Sequence, residues 1–430
     1  VKTWPYFILV TVYGACVGSF VNVVVWRLPE GRSLWRIPSS CPSCGHRLRW
    51  YDNLPIIAYL ALRGRCRYCK RPIRPIYFIM ELLCMASYAG LFWVYYYTSL
   101  WHQWHVATIA QTWPMLIMHL MLIGALLAAT FIDFKYFIIP ISIPSFVIGW
   151  AVIGLPLIVW IGSFFGAFAG MHMVTIQEPF DVPVRVATLA GVAGGGLIGL
   201  IVANVLLMLG VIPRSFDMAD EPARDSTSAQ NEQPAGGVAV ATSKKDKAAQ
   251  DQQASLTDQI GTPADWQAYP HARREVLKEC LFVFIVLAGM VAGAWLASSG
   301  QMPGAAEAGH PLWLRLLAGV IVGYLAGGGI VWAIRILGTL AFGKEAMGLG
   351  DVHLLGGIGA ILGWSHVLVV FFMAPFLGLA GFLVASIVGK LTKGAPRVIP
   401  YGPYLAFAAV LVMLLHDPIT SWVSLLFYGD

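Results

Sequence analysis

Residues Gly343–Trp364 read GKEAMGLGDVHLLGGIGAILGW, and one side chain in this run, Asp351, raises the question on which the fold turns. It stands where a loop gives way to an apolar stretch ready to enter a membrane. A carboxylate inside a membrane costs about 2.5–3.5 kcal/mol on insertion scales, so it is usually kept for a function. Gly348 and Gly350 flank Leu349 just ahead of it. Glycine permits backbone conformations closed to other residues and lets a second chain come close. Both are therefore candidate substrate-approach positions, and Lys344 is a candidate for positioning a substrate. The plainer reading is that Asp351 caps a helix beginning at Val352, since Asp is favoured at N-caps.

Outward from this run the chain is mostly apolar. Of its 430 residues 58% are hydrophobic and 12% charged, and the mean hydropathy is +0.71. A soluble globular domain carries about 25% charged residues. Apolar runs of membrane-crossing length recur at about 6–26, 76–97, 114–132, 137–162, 186–212, 276–298, 313–341, 367–389 and 402–425, with a shorter one at 352–364. These predict an all-α polytopic membrane protein with about 8–10 transmembrane helices. The first run lacks the basic leader of a cleaved signal and is read as a retained helix.

Charge placement sets the orientation. Segment 27–75 holds eleven of the 28 Lys and Arg residues, whereas the connection Thr98–Trp113 holds none. Basic loops alternate with loops nearly free of Lys and Arg, so the positive-inside rule puts 27–75 in the cytosol and the N-terminus outside. Tyr95, Tyr96, Tyr97, Trp101 and Trp104 mark the outer interface. The expected organisation is a first helix at 1–26, a cytosolic insert at 27–75, helices carrying Asp133 at 76–213, a linker at 214–275, and helices carrying Asp351 at 276–430. Residues 214–272 are polar, without period, and expected to be disordered. No convincing internal repeat is visible.

The insert contains CPSCGHRLRWYDNLPIIAYLALRGRCRYCKRPI, Cys41–Ile73. Two C-x-x-C knuckles, Cys41/Cys44 and Cys66/Cys69, stand 21 residues apart. This is the spacing of a four-thiolate structural zinc site, with no open coordination position. Arg47, Arg65, Arg67 and Lys70 would offset the charge of such a centre. Two disulfides are the alternative, disfavoured in a reducing cytosol. Nucleic acid is not an expected partner, because the positive charge is already explained by topology and by the lipid bilayer. Cys16, Cys84 and Cys280 read as packing residues.

A second acid, Asp133, closes the apolar run LIGALLAATFIDFKYFIIPISIP, Leu122–Pro144. Tracing the alternation brings Asp133 and Asp351 to the same cytosolic face. Two close carboxylates share a proton, so that one can act as general base on water while the other polarises a peptide carbonyl. Asp133 as an interfacial residue beside Lys135 is the plainer alternative.

With these parts assembled, the sequence resembles the type IV prepilin peptidases, membrane aspartic proteases that also act as N-methyltransferases. GSFVNVVVWRLP (Gly18–Pro29) is similar to their first-helix motif and the cysteine insert resembles theirs throughout. IDFKYFIIP (Ile132–Pro140) and GKEAMGLGD (Gly343–Asp351) resemble the two catalytic motifs, with Asp133 and Asp351 as the acids. IPYGPYLAFA (Ile399–Ala408) resembles the C-terminal motif. The likeness spans nearly everything except about 163–275. It implies cleavage of prepilin or pseudopilin leaders after a glycine, on the cytosolic face of the inner membrane, in service of pili or a secretion apparatus. It further implies N-methylation of the new terminus from S-adenosylmethionine, with Glu81 as a candidate for that cofactor's site. Lys135, Ile141, Ala346, Leu349 and His353 depart from the usual pattern. Two readings from other classes compete: a proton-coupled transporter using the acids as a relay, which the glycine runs Ala193–Leu197 and Ala326–Ile330 suit, and a zinc-stabilised scaffold without chemistry. The sequence assigns no oligomeric state.

Overall fold

The computed structural model of the protein describes residues 3–36, 38–98, 109–154, 156–157, 160, 186–213, 215, 272–299, 312–343, 345–392, 400–415, 418–419 and 421–422. The expected linker at 214–272 falls almost wholly outside these residues, as do Lys344, Trp101 and Trp104.

Eleven α-helices follow one another among the described residues: α1 (Trp4–Arg27), α2 (Ile57–Ala61), α3 (Pro75–Tyr97), α4 (Ile109–Tyr136), α5 (Ser142–Gly149), α6 (Val186–Met208), α7 (Ala272–Ser298), α8 (Leu312–Phe342), α9 (Leu349–Leu362), α10 (Trp364–Thr392) and α11 (Gly402–Leu414). No strand is present among them; two isolated β-bridges lie in the cysteine insert. Seven helices (α1, α3, α4, α6, α7, α8 and α10) are long and apolar enough to cross a membrane, and α5, α9 and α11 are shorter apolar pieces. This is an all-α, multi-pass membrane protein. The expected span at 137–162 starts later, at Ser142. Phe137 takes a left-handed conformation (φ 55°), its N–H closes α4 on the Asp133 carbonyl, and Pro140 precedes the fresh start of α5. The run expected to 425 is helical to Leu414.

The chain divides into two compact units, one of residues 1–197, 289–332 and 349–430, the other of 198–288 and 333–348. In the first, α4 is the most enclosed span, with 67% of its apolar window buried. It packs against α1, α3, α5, α9 and α11. The small residues at Gly14 and Gly18 bring α1 onto α3. A methyl group added at Gly18 would lie 2.7 Å from the Glu81 Cα, and one at Gly14 would lie 2.7 Å from the Tyr88 Cβ. Without a hydrophobic drive between helices in lipid, such small-residue contact is what holds them together. The same holds for the glycine run of α6, where a methyl at Gly195 would fall 3.1 Å from Gly293 Cα. Helix packing therefore accounts for the first of the two glycine runs that suited a transporter.

Candidate active site

Asp133 lies in the last turn of α4 and is buried, 5% exposed. Its Oδ2 accepts the main-chain N–H of Gly402 at 3.1 Å. Gly402 is the first residue of α11, whose N-terminal N–H groups have no partner within the helix. The carboxylate thus meets the positive end of a helix dipole, which favours negative charge. Any larger residue there would press on the carboxylate. A methyl at Gly402 would lie 2.7 Å from Asp133 Oδ2 and 3.0 Å from Ile139 Cδ1.

Asp351 sits half-buried in the first turn of α9. The expected start at Val352 is corrected to Leu349, so Asp351 is not an N-cap but a first-turn acid, again where the dipole favours a carboxylate. Gly350 does not leave its space to a second chain. A methyl there would lie 2.9 Å from both Cβ and the carbonyl oxygen of Ile139, so the close approach is made by the protein's own backbone. Neither Gly348 nor Gly350 is among the left-handed glycines, whereas Gly343 is (φ 67°).

Ile139 therefore touches Gly350, next to Asp351, and crowds the Gly402 position that holds Asp133. Tyr401 supplies a second link. Burial, and after it the nearby Asp351 charge, push its phenol up to about 12. The segments carrying the two acids meet around Ile139 and the Tyr401–Gly402 pair. Sequence reasoning singled out both acids as candidates and gave no role to Ile139, Tyr401 or Gly402. The glycine was visible inside IPYGPY, but its partner lies 269 residues away. Lys135, one turn from these contacts, holds its ammonium 3.6 Å from the Trp26 ring centroid, fixing the end of α4 to α1 by a cation–π contact.

The cysteine insert is assembled as the spacing foresaw. The Sγ atoms of Cys41, Cys44, Cys66 and Cys69 all lie within 4.8 Å of one another, and Cys41 and Cys69 are 3.9 Å apart. Tetrahedral Zn–S bonds of about 2.3 Å put thiolates about 3.8 Å apart, so the cluster fits a zinc ion. All four cysteines are free thiols. The N–H groups of Cys69 and Tyr68 pull the Cys66 thiol down to about 7. At Cys44 the N–H of His46 acts downward, but desolvation and the Cys41 and Cys69 sulfurs outweigh it and hold the thiol up at about 11.

The structure also reveals a repeat that the sequence reading missed. Cys41 N–H bonds to His46 O as Cys66 N–H does to Arg71 O, and Leu48 N–H bonds to Ser39 O as Ile73 N–H does to Gly64 O. Every pair is offset by 25 residues. The fifth knuckle position is left-handed in both copies, at Gly45 (φ 69°) and Lys70 (φ 58°). Because the second copy places Lys where the first has Gly, the repeat is faint in sequence. Arg67 is not free to balance thiolate charge, since its Nε lies 2.6 Å from Oδ1 of the buried Asp52. The His46 and Tyr68 rings meet across the two knuckles, tilted by 34° with centroids 3.6 Å apart.

Glu81 anchors this insert to the membrane helices. Its Oε2 accepts the N–H of Ile56 at 2.7 Å, and Ile56 is left-handed (φ 62°), an outlying conformation for a β-branched residue. Tyr59 stacks on Phe78 alongside, at 4.9 Å. Glu81 is thereby a bracket between insert and α3, and no cofactor contact is assigned to it.

Fold and site together define a multi-pass helical membrane protein with two acids near span ends and a metal-competent cysteine module. Comparison with known proteins is more specific. Residues 12–95 match the bacterial peptidase A24 N-terminal domain, and residues 273–383 match the type IV leader peptidase family. The chain is similar to the prepilin leader peptidase/N-methyltransferase of Myxococcus xanthus, 40% identical over 30% of this chain and 35% of the relative. The Vibrio cholerae protein of that name is 29% identical over 50% of this chain and 82% of the relative. The Aeromonas hydrophila one is 23% identical over 97% of this chain and 94% of the relative. No solved structure matches it.

Proposed function

We propose that this protein is an aspartic endopeptidase that removes the leader of type IV pilin-like precursors, with Asp133 and Asp351 as its catalytic pair. The observation that carries the reading is the convergence of both acid-bearing segments on Ile139 and Tyr401–Gly402, in a chain whose residues 273–383 match the type IV leader peptidase family. One carboxylate, ionised, takes a proton from a water whose oxygen attacks the scissile carbonyl carbon. The other, protonated, donates to the carbonyl oxygen as it gains charge. Collapse of the tetrahedral adduct breaks the C–N bond, and the proton held by the pair goes to the leaving amine. Water is consumed and the pair returns to one shared proton. The Gly402 N–H holds Asp133 in place throughout.

Cleavage is proposed after a glycine at the cytosolic face of the inner membrane, where the Lys and Arg distribution directs the basic insert. Cys41, Cys44, Cys66 and Cys69 are proposed to hold a structural zinc ion, which with four thiolates has no open position and would supply folding energy to a module with little core. N-methylation of the new terminus is proposed as a second activity from the relatives' names; S-adenosylmethionine would donate the methyl group.

The test is leader release from a pilin precursor by the purified protein. Asp133→Ala and Asp351→Ala should each abolish it, and normal release by either rejects the pair. Radiolabelled S-adenosylmethionine tests methyl transfer separately: an unlabelled mature N-terminus rejects that activity alone.

A further inference from the structure

The second compact unit, residues 198–288 and 333–348, contains a buried ion network that the mechanism above does not use. Arg335 lies in the last third of α8, a helix of membrane-crossing length, and its side chain is 1% exposed. Its Nε donates to both carboxylate oxygens of Glu279 on α7, at 3.0 and 3.1 Å. The Ser215 hydroxyl adds a bond to Glu279 Oε1 at 3.1 Å. The other arm of the guanidinium reaches forward. Nη1 lies 2.5 Å from Glu345 Oε1 and donates to the Met347 carbonyl. Between those two contacts, the Ala346 N–H donates to Thr339 Oγ1 at 3.2 Å. Left-handed Gly343 turns the chain back after α8 and its N–H closes on the Thr339 carbonyl. Three successive residues, Glu345, Ala346 and Met347, are thus held by the last turns of α8. Asp351 follows four residues after Met347.

Gly343, left-handed and bonded back to Thr339, already ends α8. A guanidinium with two carboxylates is costly to bury, and replacing such groups by apolar ones is often neutral or stabilising. Their best-attested use is to fix a register. Arg is suited to this, because its planar fork binds two acceptors at set angles, which the Lys ammonium does not.

We propose that Arg335, braced by Glu279, is a positioning residue for peptide cleavage: it clamps Glu345–Met347 so that the chain enters the helix of Asp351 in a single register. The proposal deepens the aspartic reading and rests on it. It gives Glu345, an ordinary loop acid by its sequence, a defined partner.

The test uses the full-length protein in lipid and a pilin precursor, measuring kcat and KM of leader release. Glu345→Gln is the decisive variant. Its side chain is 30% exposed, so removing the charge leaves the buried Arg335–Glu279 pair intact and the protein folded. Arg335→Lys keeps the charge and loses the fork. Each should lower kcat tenfold or more, leave KM within twofold, and leave the thermal midpoint within a few degrees. If Arg335→Lys fails to accumulate, Glu345→Gln alone decides. Wild-type kcat in Glu345→Gln, with Asp351→Asn inactive, overturns the clamp and leaves the acid pair standing. A parallel fall in thermal midpoint and in both kinetic constants also overturns it, as the network is then merely structural. Cleavage by Asp351→Asn rejects the acid pair itself, and the clamp's role with it.

Discussion

The most exacting prediction concerns a residue with no side chain. Replacing Gly402 by Ala adds one methyl group 2.7 Å from Asp133 Oδ2 and 3.0 Å from Ile139 Cδ1. Carbon–oxygen contacts settle at about 3.3–3.6 Å, so the carboxylate or the start of α11 must retreat by about 0.6–0.9 Å. Catalytic groups tolerate about 0.5 Å, and a displacement near 1 Å can cost about 100-fold in rate. The strain itself is modest, because overpacking typically destabilises by about 1–3 kcal/mol. Gly402→Ala should therefore fold, bind precursor with nearly unchanged KM, and release leader with kcat lowered about 100-fold. Single-turnover cleavage separates this from slow product release, and thermal unfolding checks the fold. A variant with wild-type kcat would refute the idea that the α11 N-terminus sets the position of Asp133.

Other consequences can be checked with similar means. Cys41→Ser should lose bound zinc by metal analysis and expose 39–73 to protease, whereas unchanged zinc rejects the four-cysteine site. Zinc affinity should fall as pH falls, since binding needs thiolates and the Cys44 thiol is held up at about 11; below about pH 7 protonation of Cys66 steepens the loss. A pH-independent affinity measured by chelator competition would contradict this. Glu81→Gln should weaken the bracket on strained Ile56, raising protease sensitivity of the insert while leaving the zinc stoichiometry at one; unchanged protection refutes the bracket.

Much of this architecture was written in local pattern. Apolar run length placed the long helices, and C-x-x-C spacing placed the metal-competent cluster, because both depend on neighbours in sequence. Asp133 and Asp351 stood out because a carboxylate in an apolar run is expensive wherever the chain later folds. What escaped depends on distant partners. Gly402 gains its role from an acid 269 positions earlier, and Gly350 gains its own from Ile139 rather than from a substrate. Arg335, in α8, gains its role only from Glu279 on α7 and Glu345 beyond the helix end. The left-handed Phe137 and Ile56 could not be foreseen, since both residue types disfavour that conformation and surrounding contacts impose it. The second knuckle hid its kinship with the first by carrying Lys70 where Gly45 makes the turn easy.

Whether two carboxylates work as one unit is open to a direct measurement: single-turnover cleavage by Asp133→Asn, Asp351→Asn and the double variant. Members of one catalytic unit are grossly non-additive. Each single change should cost as much as both together, leaving all three variants at one common residual rate. A double variant slower by the product of the two single losses would mean that the acids act independently, and the shared-water chemistry would be wrong.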